Sequence, residues 1–491
     1  MILPLHFLFA IVLGAVVFHV NISHGQVAAA DYLEELIGRA RAASLHDQRY
    51  WHLLLHYRSN WAGSYESEVD EAGFFLSSAG KSDPQAELAA TLGAFFSTEP
   101  VGRSRQPARC AFVARYQWLK SQLAIDDSRL PAQRCERFDS WLKELNPASL
   151  TLIFPSSFIN NPSSMFGHLL LRIDQKSQTD ATRILAYTIN YAAELPPNTG
   201  IEFAFLGIVG GYTGNFSTVP YYLKAKEYGD FENRDIWEYR LNFSPAQVER
   251  LLMHAWEMGN ASFDYFFFKE NCAYHILALL DLADPDLRLA ERFNFYTLPS
   301  DGVRAIAEKP GLVEAAVFRP SRRTKILRGR DALTSLERLW LMKIIDAPKL
   351  AQAPEFLQLA VERRAAVLDV ASDYLLYQAA TENEPKQFET RNSQVLLARS
   401  EIKVNAPALG YQPLAGPPDQ GHLVRRVGLG IGWREREFFT EANFRLAFHD
   451  LLDPEYGYTP DAQIEVLSAA LRHYPERRHT RLERVTLLNS A

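Results

Sequence analysis

The sequence predicts an α+β protein in which helical and β-rich segments follow one another along the chain. Three observations predict it. Residues 31–147 place apolar side chains at helical spacing, residues 148–243 break into short β-rich runs separated by Asn, Pro and Gly, and the C-terminal segments return to strand length with polar turns. At 491 residues the chain is too long for one ordinary core. We therefore expect a leader at 1–30, a helical N-terminal region at 31–147 and a central domain at 148–330. A helical segment at 331–400 and a β-rich C-terminal domain at 401–491 complete the order. An apolar fraction of 47 % excludes extensive disorder, and a net charge of −6 without a basic cluster argues against nucleic acid as a partner.

Residues 1–20, MILPLHFLFAIVLGAVVFHV, contain no charged side chain and run into small residues, with cleavage expected after Gly25 or within residues 28–30. This reads as a secretory signal peptide lacking its positive n-region; an uncleaved anchor helix is the alternative, since about 20 apolar residues also span a bilayer. No later run is as long, so a helical multi-span protein is excluded. Export changes how the three cysteines are read. Cys110 (RCAFVARYQWL) and Cys135 (RCERFDSWL) are expected to form a disulfide in an oxidising compartment, contributing roughly 3 kcal/mol in the chain-entropy model. Cys272 is left unpaired, either as a reactive thiol or as a buried inert one.

Within the N-terminal region, DYLEELIGRARAA and PQAELAATLGAFF read as helices. The runs SLTLIFPSSF, HLLLRID, RILAYTINYAA and DIWEYRLNF read as strands, and the loops NNPSSMFG and GIVGGYTGNFS are small enough for a backbone to approach a ligand. In SPAQVERLLMHAWEMG, Ser244 is an N-cap with Pro245 at the first helical position. Residues 331–380 are helical again, ATENEPKQFETRNS is polar and punctuated, and APALGYQPLAGPPDQG is the expected linker. RRVGLGIGWRE, EANFRLAFHDLL, QIEVLSAALRHYP and RLERVTLLNS then suit a sandwich or a barrel, the outer-membrane kind included; four strands cannot close a barrel, so they read either as part of a truncated one or as a small β-appendage.

Cys272 opens the helix of KENCAYHILALLDLADP. The helix dipole and free N–H groups there favour a thiolate, and the Cys272 amide could serve an oxyanion. His168 is the best candidate base, opening an apolar strand just after a Ser/Gly turn. His275, three residues past Cys272, shares its helix face but is poorly placed for in-line approach, and a metal site on that pair lacks two further ligands. A third polar group must orient the base. Asn190 shares a strand face with Thr188 while Tyr187 points the other way; a strand-end role satisfying backbone groups is an equal reading of Asn190. Ser164 and Asn271 are supporting candidates around the pair.

Histidine on a strand, a polar residue on the next strand and cysteine at a helix start resembles the permuted NlpC/papain-like thiol enzymes. More closely, PSSMFGHLLLRID, YTINYAA, GGYTGNFSTVPYYLKAKEYGDFENRDIWEYRL and KENCAYHILALLDLA resemble the periplasmic domain of Lnb-type bacterial lipoprotein N-acyltransferases, over roughly residues 30–380. The resemblance implies a permuted papain-like catalytic domain without a cofactor. Cys272 would be nucleophile, His168 base and Asn190 the third member, acting on a lipid or lipoprotein acyl substrate at a periplasmic membrane surface, the outer membrane's included. This chain departs from that pattern in ending on β-like segments where the family is expected to have membrane helices. Two other readings stand beside acyl transfer or lipid acyl hydrolysis. One is a cysteine peptidase or amidase on cell-wall peptides, with Lys224, Lys226 and Arg234 reading carboxylates; the other is a non-enzymatic envelope binding protein.

Overall fold

The computed structural model describes residues 24–157, 165–195, 202–381, 385–404, 411–413, 415–458 and 461–490. The leader up to residue 23 lies outside them, as does Ser164; Gly25 and residues 28–30 fall in the opening turns of helix His24–Ala42 (α1). The fold is α+β, as expected.

Seven strands make the central sheet: Pro147–Pro155 (β1), Leu170–Gln175 (β2), Tyr187–Ala193 (β3), Tyr212–Pro220 (β4), Ile236–Leu241 (β5), Phe263–Tyr265 (β6) and Val313–Arg319 (β7). Their order is β6-β4-β3-β2-β1-β5-β7, with every neighbouring pair antiparallel. Alternation along the strands sorts two buried faces. Leu150, Leu152 and Phe154 of β1, Leu171 and Ile173 of β2, and Tyr239 and Leu241 of β5 join one large core. Helices Pro245–Glu257 (α4) and Cys272–Ala283 (α5) contribute Leu251, Leu252, Ile276, Leu277 and Leu280 to that core. The N-terminal segment feeds the same core through Leu36 of α1, Leu92 of Pro84–Ala94 (α2) and Leu119 of Val113–Leu123 (α3), so it is continuous with the sheet's helical cover.

The opposite face of the sheet holds buried charge. Arg172 donates to Asp174 at 2.7 Å and to Glu238 at 2.5 Å, and Arg319 reaches Glu238 at 2.9 Å. Burial alone would raise the Glu238 carboxyl, but the two guanidiniums pull it down to about 2. Arg172 and Asp174 thus pair with neighbours within the sheet.

The expected N-cap of α4 is a full capping box between Ser244 and Gln247. The expected disulfide joins Cys110 to Cys135, and Trp256 of α4 donates to the Cys110 carbonyl at 2.8 Å. Beyond the sheet, Ser335–Asp346 (α6), Val361–Thr381 (α7) and Pro385–Ser400 (α8) enclose a separate core around Trp340, Ile344, Leu368 and Val395. The α8 helix occupies most of the stretch that reads as polar punctuation; only Asn392 and Val395 of it are buried.

Four strands end the described chain: Arg426–Arg434 (β8), Glu437–His449 (β9), Ile464–Tyr474 (β10) and His479–Ser490 (β11). They form an open antiparallel meander in chain order, with no closed barrel among the described residues. Along β8, Val427, Leu429, Ile431 and Trp433 alternate with glycines and are exposed. At its other end the meander packs Phe448 edge-on against Phe166, with ring centroids 5.2 Å apart, and Phe166 in turn contacts Phe268 at 5.2 Å.

Replacing Arg172 by Ala would leave buried Asp174 without a guanidinium partner and Glu238 with Arg319 alone. The expected loss is about 3–5 kcal/mol, measured as a lowered urea midpoint with unchanged slope; a loss below about 1 kcal/mol would show that the cluster contributes little.

Candidate active site

His168 stands at the mouth of β2. The turn before it requires Gly167: its φ is +90°, and a Cβ there would lie 2.9 Å from the Phe154 ring. On the adjacent strand Asn190 is buried, and its Oδ1 lies 2.8 Å from His168 Nε2. With Oδ1 accepting, Nε2 carries the proton and Nδ1 keeps the lone pair, the form a general base needs. Burial drives the imidazole down to about 3, with Asn190 opposing and Arg234 and Lys224 assisting, so the ring is neutral at physiological pH.

Cys272 is the first residue of α5 and is buried. Its helix starts where it does because Asn271 caps it: the side-chain oxygen accepts from Ala273 N at 3.0 Å and Tyr274 N at 3.2 Å. The Asn271 amide group donates to Phe267 O at 2.9 Å and Thr297 O at 2.6 Å, so four hydrogen bonds hold this corner. The cap leaves the Cys272 amide to other use.

The thiol departs from the sequence expectation. Burial pushes it up to about 11, although the N–H groups of Leu169 and Ala273, the charge of Arg234 and the Tyr265 hydroxyl all favour the thiolate. Desolvation outweighs the helix terminus, and the resting pair is thiol plus neutral imidazole. Leu169, whose amide faces the sulfur, directly follows His168; Tyr228 stands 6.1 Å from the His168 ring and also feels the charge of Cys272. Shared neighbours therefore place Cys272, His168 and Asn190 in one region. Among the described residues no hydrogen bond joins the thiol to the imidazole. Tyr265 and Tyr228 are further neighbours of the sulfur to which no sequence signal pointed.

His275 sits apart, fully buried, with neither ring nitrogen hydrogen-bonded and the rings of Tyr191 and Phe263 at 4.1 and 4.3 Å. It packs in the core. A cavity of about 680 Å³ opens beyond α5 toward the N-terminal segment, lined by Arg58, Glu68, Lys269 and Tyr274, but neither Cys272 nor His168 lines it. Instead, the loop before α5 meets the short helix Glu202–Val209: Phe267 N donates to Gly207 O at 2.6 Å, and Phe205, Ile208 and Val209 of that helix are exposed.

Residues 137–309, which hold β1 to β6, α5 and all three site residues, match the family described as Lnb N-terminal periplasmic domain. Residues 43–122, 316–409 and 415–491 match three models described as domains of unknown function (DUF7843, DUF7842 and DUF7840). No curated protein and no solved structure matches the chain. The central segment is thus similar to the Lnb N-terminal periplasmic domain, and this likeness supports a periplasmic location and a role in the cell envelope. No described helix is long and apolar enough to cross a membrane.

With the thiol raised to about 11, alkylation of Cys272 by iodoacetamide should accelerate steadily from pH 7 to 10. The check is peptide mass spectrometry over that range, in wild type and His168→Ala. A plateau reached near pH 7 would mean that a resting thiolate exists and that burial does not dominate.

Proposed function

We propose that the protein is an envelope thiol acyltransferase or lipid acyl hydrolase with Cys272 as nucleophile, His168 as base and Asn190 as the group that orients it. One observation carries this reading. The 2.8 Å bond from His168 to Asn190 fixes a base-form imidazole beside a helix-start cysteine whose sulfur faces the backbone of the very next residue, Leu169. The order of these three residues also supports the permuted papain-like arrangement.

In this reading, His168 Nδ1 accepts the thiol proton as the sulfur attacks an ester carbonyl. The carbon–oxygen bond then breaks, and the leaving alcohol takes the proton from the imidazolium. An amine, or water in a hydrolase, attacks the resulting thioester while His168 removes its proton, and the thiol reforms. Because both groups rest neutral, proton transfer accompanies attack and does not precede it.

A lipid donor is supported by the exposed Phe205, Ile208 and Val209, carried on a helix that packs on the loop leading to Cys272. The exposed β8 stripe likewise supports association with a membrane, the outer one included. Two of the three basic side chains that a peptide substrate would use are engaged already. Arg234 donates to the carbonyls of Ser156 and Pro155 at 2.5 and 3.0 Å, and Lys224 to Glu227 at 2.8 Å.

The decisive test incubates the protein with phospholipid vesicles and follows released lysophospholipid or fatty acid together with the intact mass. An acyl increment on Cys272 is expected, with turnover falling by more than about 100-fold in Cys272→Ala and His168→Ala. Turnover retained in Cys272→Ala would end the proposal. Converting Phe205, Ile208 and Val209 to Ser should raise KM for vesicles and spare a short soluble thioester; equal effects on both substrates would exclude a lipid-docking role for that helix.

A further inference from the structure

We propose that His422, His449 and Asp453 form a binding site for a divalent transition-metal cation of the zinc class, where the C-terminal sheet joins the central domain. The residues come from two pieces of chain: His422 from the segment before β8, and His449 and Asp453 from the end of β9 and the turn that follows it. His422 Nε2 lies 2.9 Å from His449 Nδ1 and 3.8 Å from Asp453 Oδ2, and all three atoms fall within 4.8 Å of one another. Ligands on a tetrahedral zinc ion, bound at about 2.0–2.1 Å, stand about 3.3 Å apart. The imidazoles need only part slightly and the carboxylate close in.

The surroundings prepare the ligand atoms. His422 Nδ1 lies 2.8 Å from the Leu423 carbonyl, so that nitrogen carries the proton and Nε2 presents its lone pair to the site. The two imidazoles are stacked 5.1 Å apart, and Tyr458 stacks on them at 4.7 and 4.4 Å, which fixes both ring planes. Two guanidiniums also face the cluster. Arg445 donates to Asp453 and, at 3.0 Å, to Asp450; Arg426 donates to Asp453 Oδ1 at 3.2 Å and to Asp450 at 2.5 Å. Asp450 therefore retains both arginines when Asp453 Oδ2 turns toward an ion. The paired charges cancel, and two imidazole nitrogens with one carboxylate suit zinc, cobalt or nickel better than magnesium or calcium. Three protein ligands leave one position for water.

The competing account is a plain hydrogen bond, His449 Nδ1–H to His422 Nε2, which 2.9 Å also fits. The full chain, freed of any affinity tag and stripped with EDTA, is titrated with zinc against a chromogenic chelator. Histidine modification by diethyl pyrocarbonate is then mapped by peptide mass spectrometry with and without zinc. One zinc per chain is expected, with protection confined to His422 and His449 and affinity weakened more than about 100-fold in His449→Gln. No uptake by the wild-type chain, or protection on other histidines, overturns the site. If His449→Gln fails to fold, stoichiometry and protection in the wild-type chain decide alone.

Discussion

The start of α5 is the constraint on which the rest of the candidate site depends, and Asn271 sets it. Its oxygen takes two amides of the first turn, while its nitrogen holds the Phe267 and Thr297 carbonyls from the loop before the helix and from a segment beyond it. A residue with only a capping oxygen, such as Ser or Asp, could hold the helix but would release both carbonyls. The position of the sulfur relative to β2 then follows from packing: Ile276, Leu277 and Leu280 seat α5 on the same core as Leu169, Leu171 and Ile173. His168 is carried by that strand and Asn190 by the next. The geometry is a consequence of ordinary burial, and the chemistry is laid over it.

The site rests in its uncharged state. Desolvation raises the thiol and lowers the imidazole, so the ion pair that many thiol enzymes hold in the resting form is not stored here. An uncharged thiol in a buried position is slow to oxidise and slow to alkylate. In an oxidising compartment that protects a lone cysteine, while the other two cysteines are already joined.

Much of this was legible in the sequence because it is local. The Ser244 capping box, the helix opening at Cys272 and the alternation that puts Asn190 and Thr188 on one side of β3 each need only a few neighbouring residues to read. What was not legible depends on distant packing. The net direction of the Cys272 shift turns on how completely Tyr265, Tyr228 and the sheet exclude water, and no helix-terminus argument contains that term. The α8 helix falls within the expected helical segment 331–400, but its polar stretch reads as punctuated because only a narrow part of it is buried, against α7, so it carries little apolar periodicity. The metal-binding cluster joins the neighbouring His449 and Asp453 to His422, 27 residues earlier, with no motif spacing.

The contact of Phe448 with Phe166, and of Phe166 with Phe268, has a mechanical meaning. Phe166 lies two residues before His168, and Phe268 four before Cys272, so one aromatic relay touches both loops that carry the reactive groups. Side chains in a packed interior are nearly incompressible, and a shift at one end is passed on, not absorbed. The C-terminal meander is in this sense a lever whose short arm, Phe448, bears on the segments that carry His168 and Cys272.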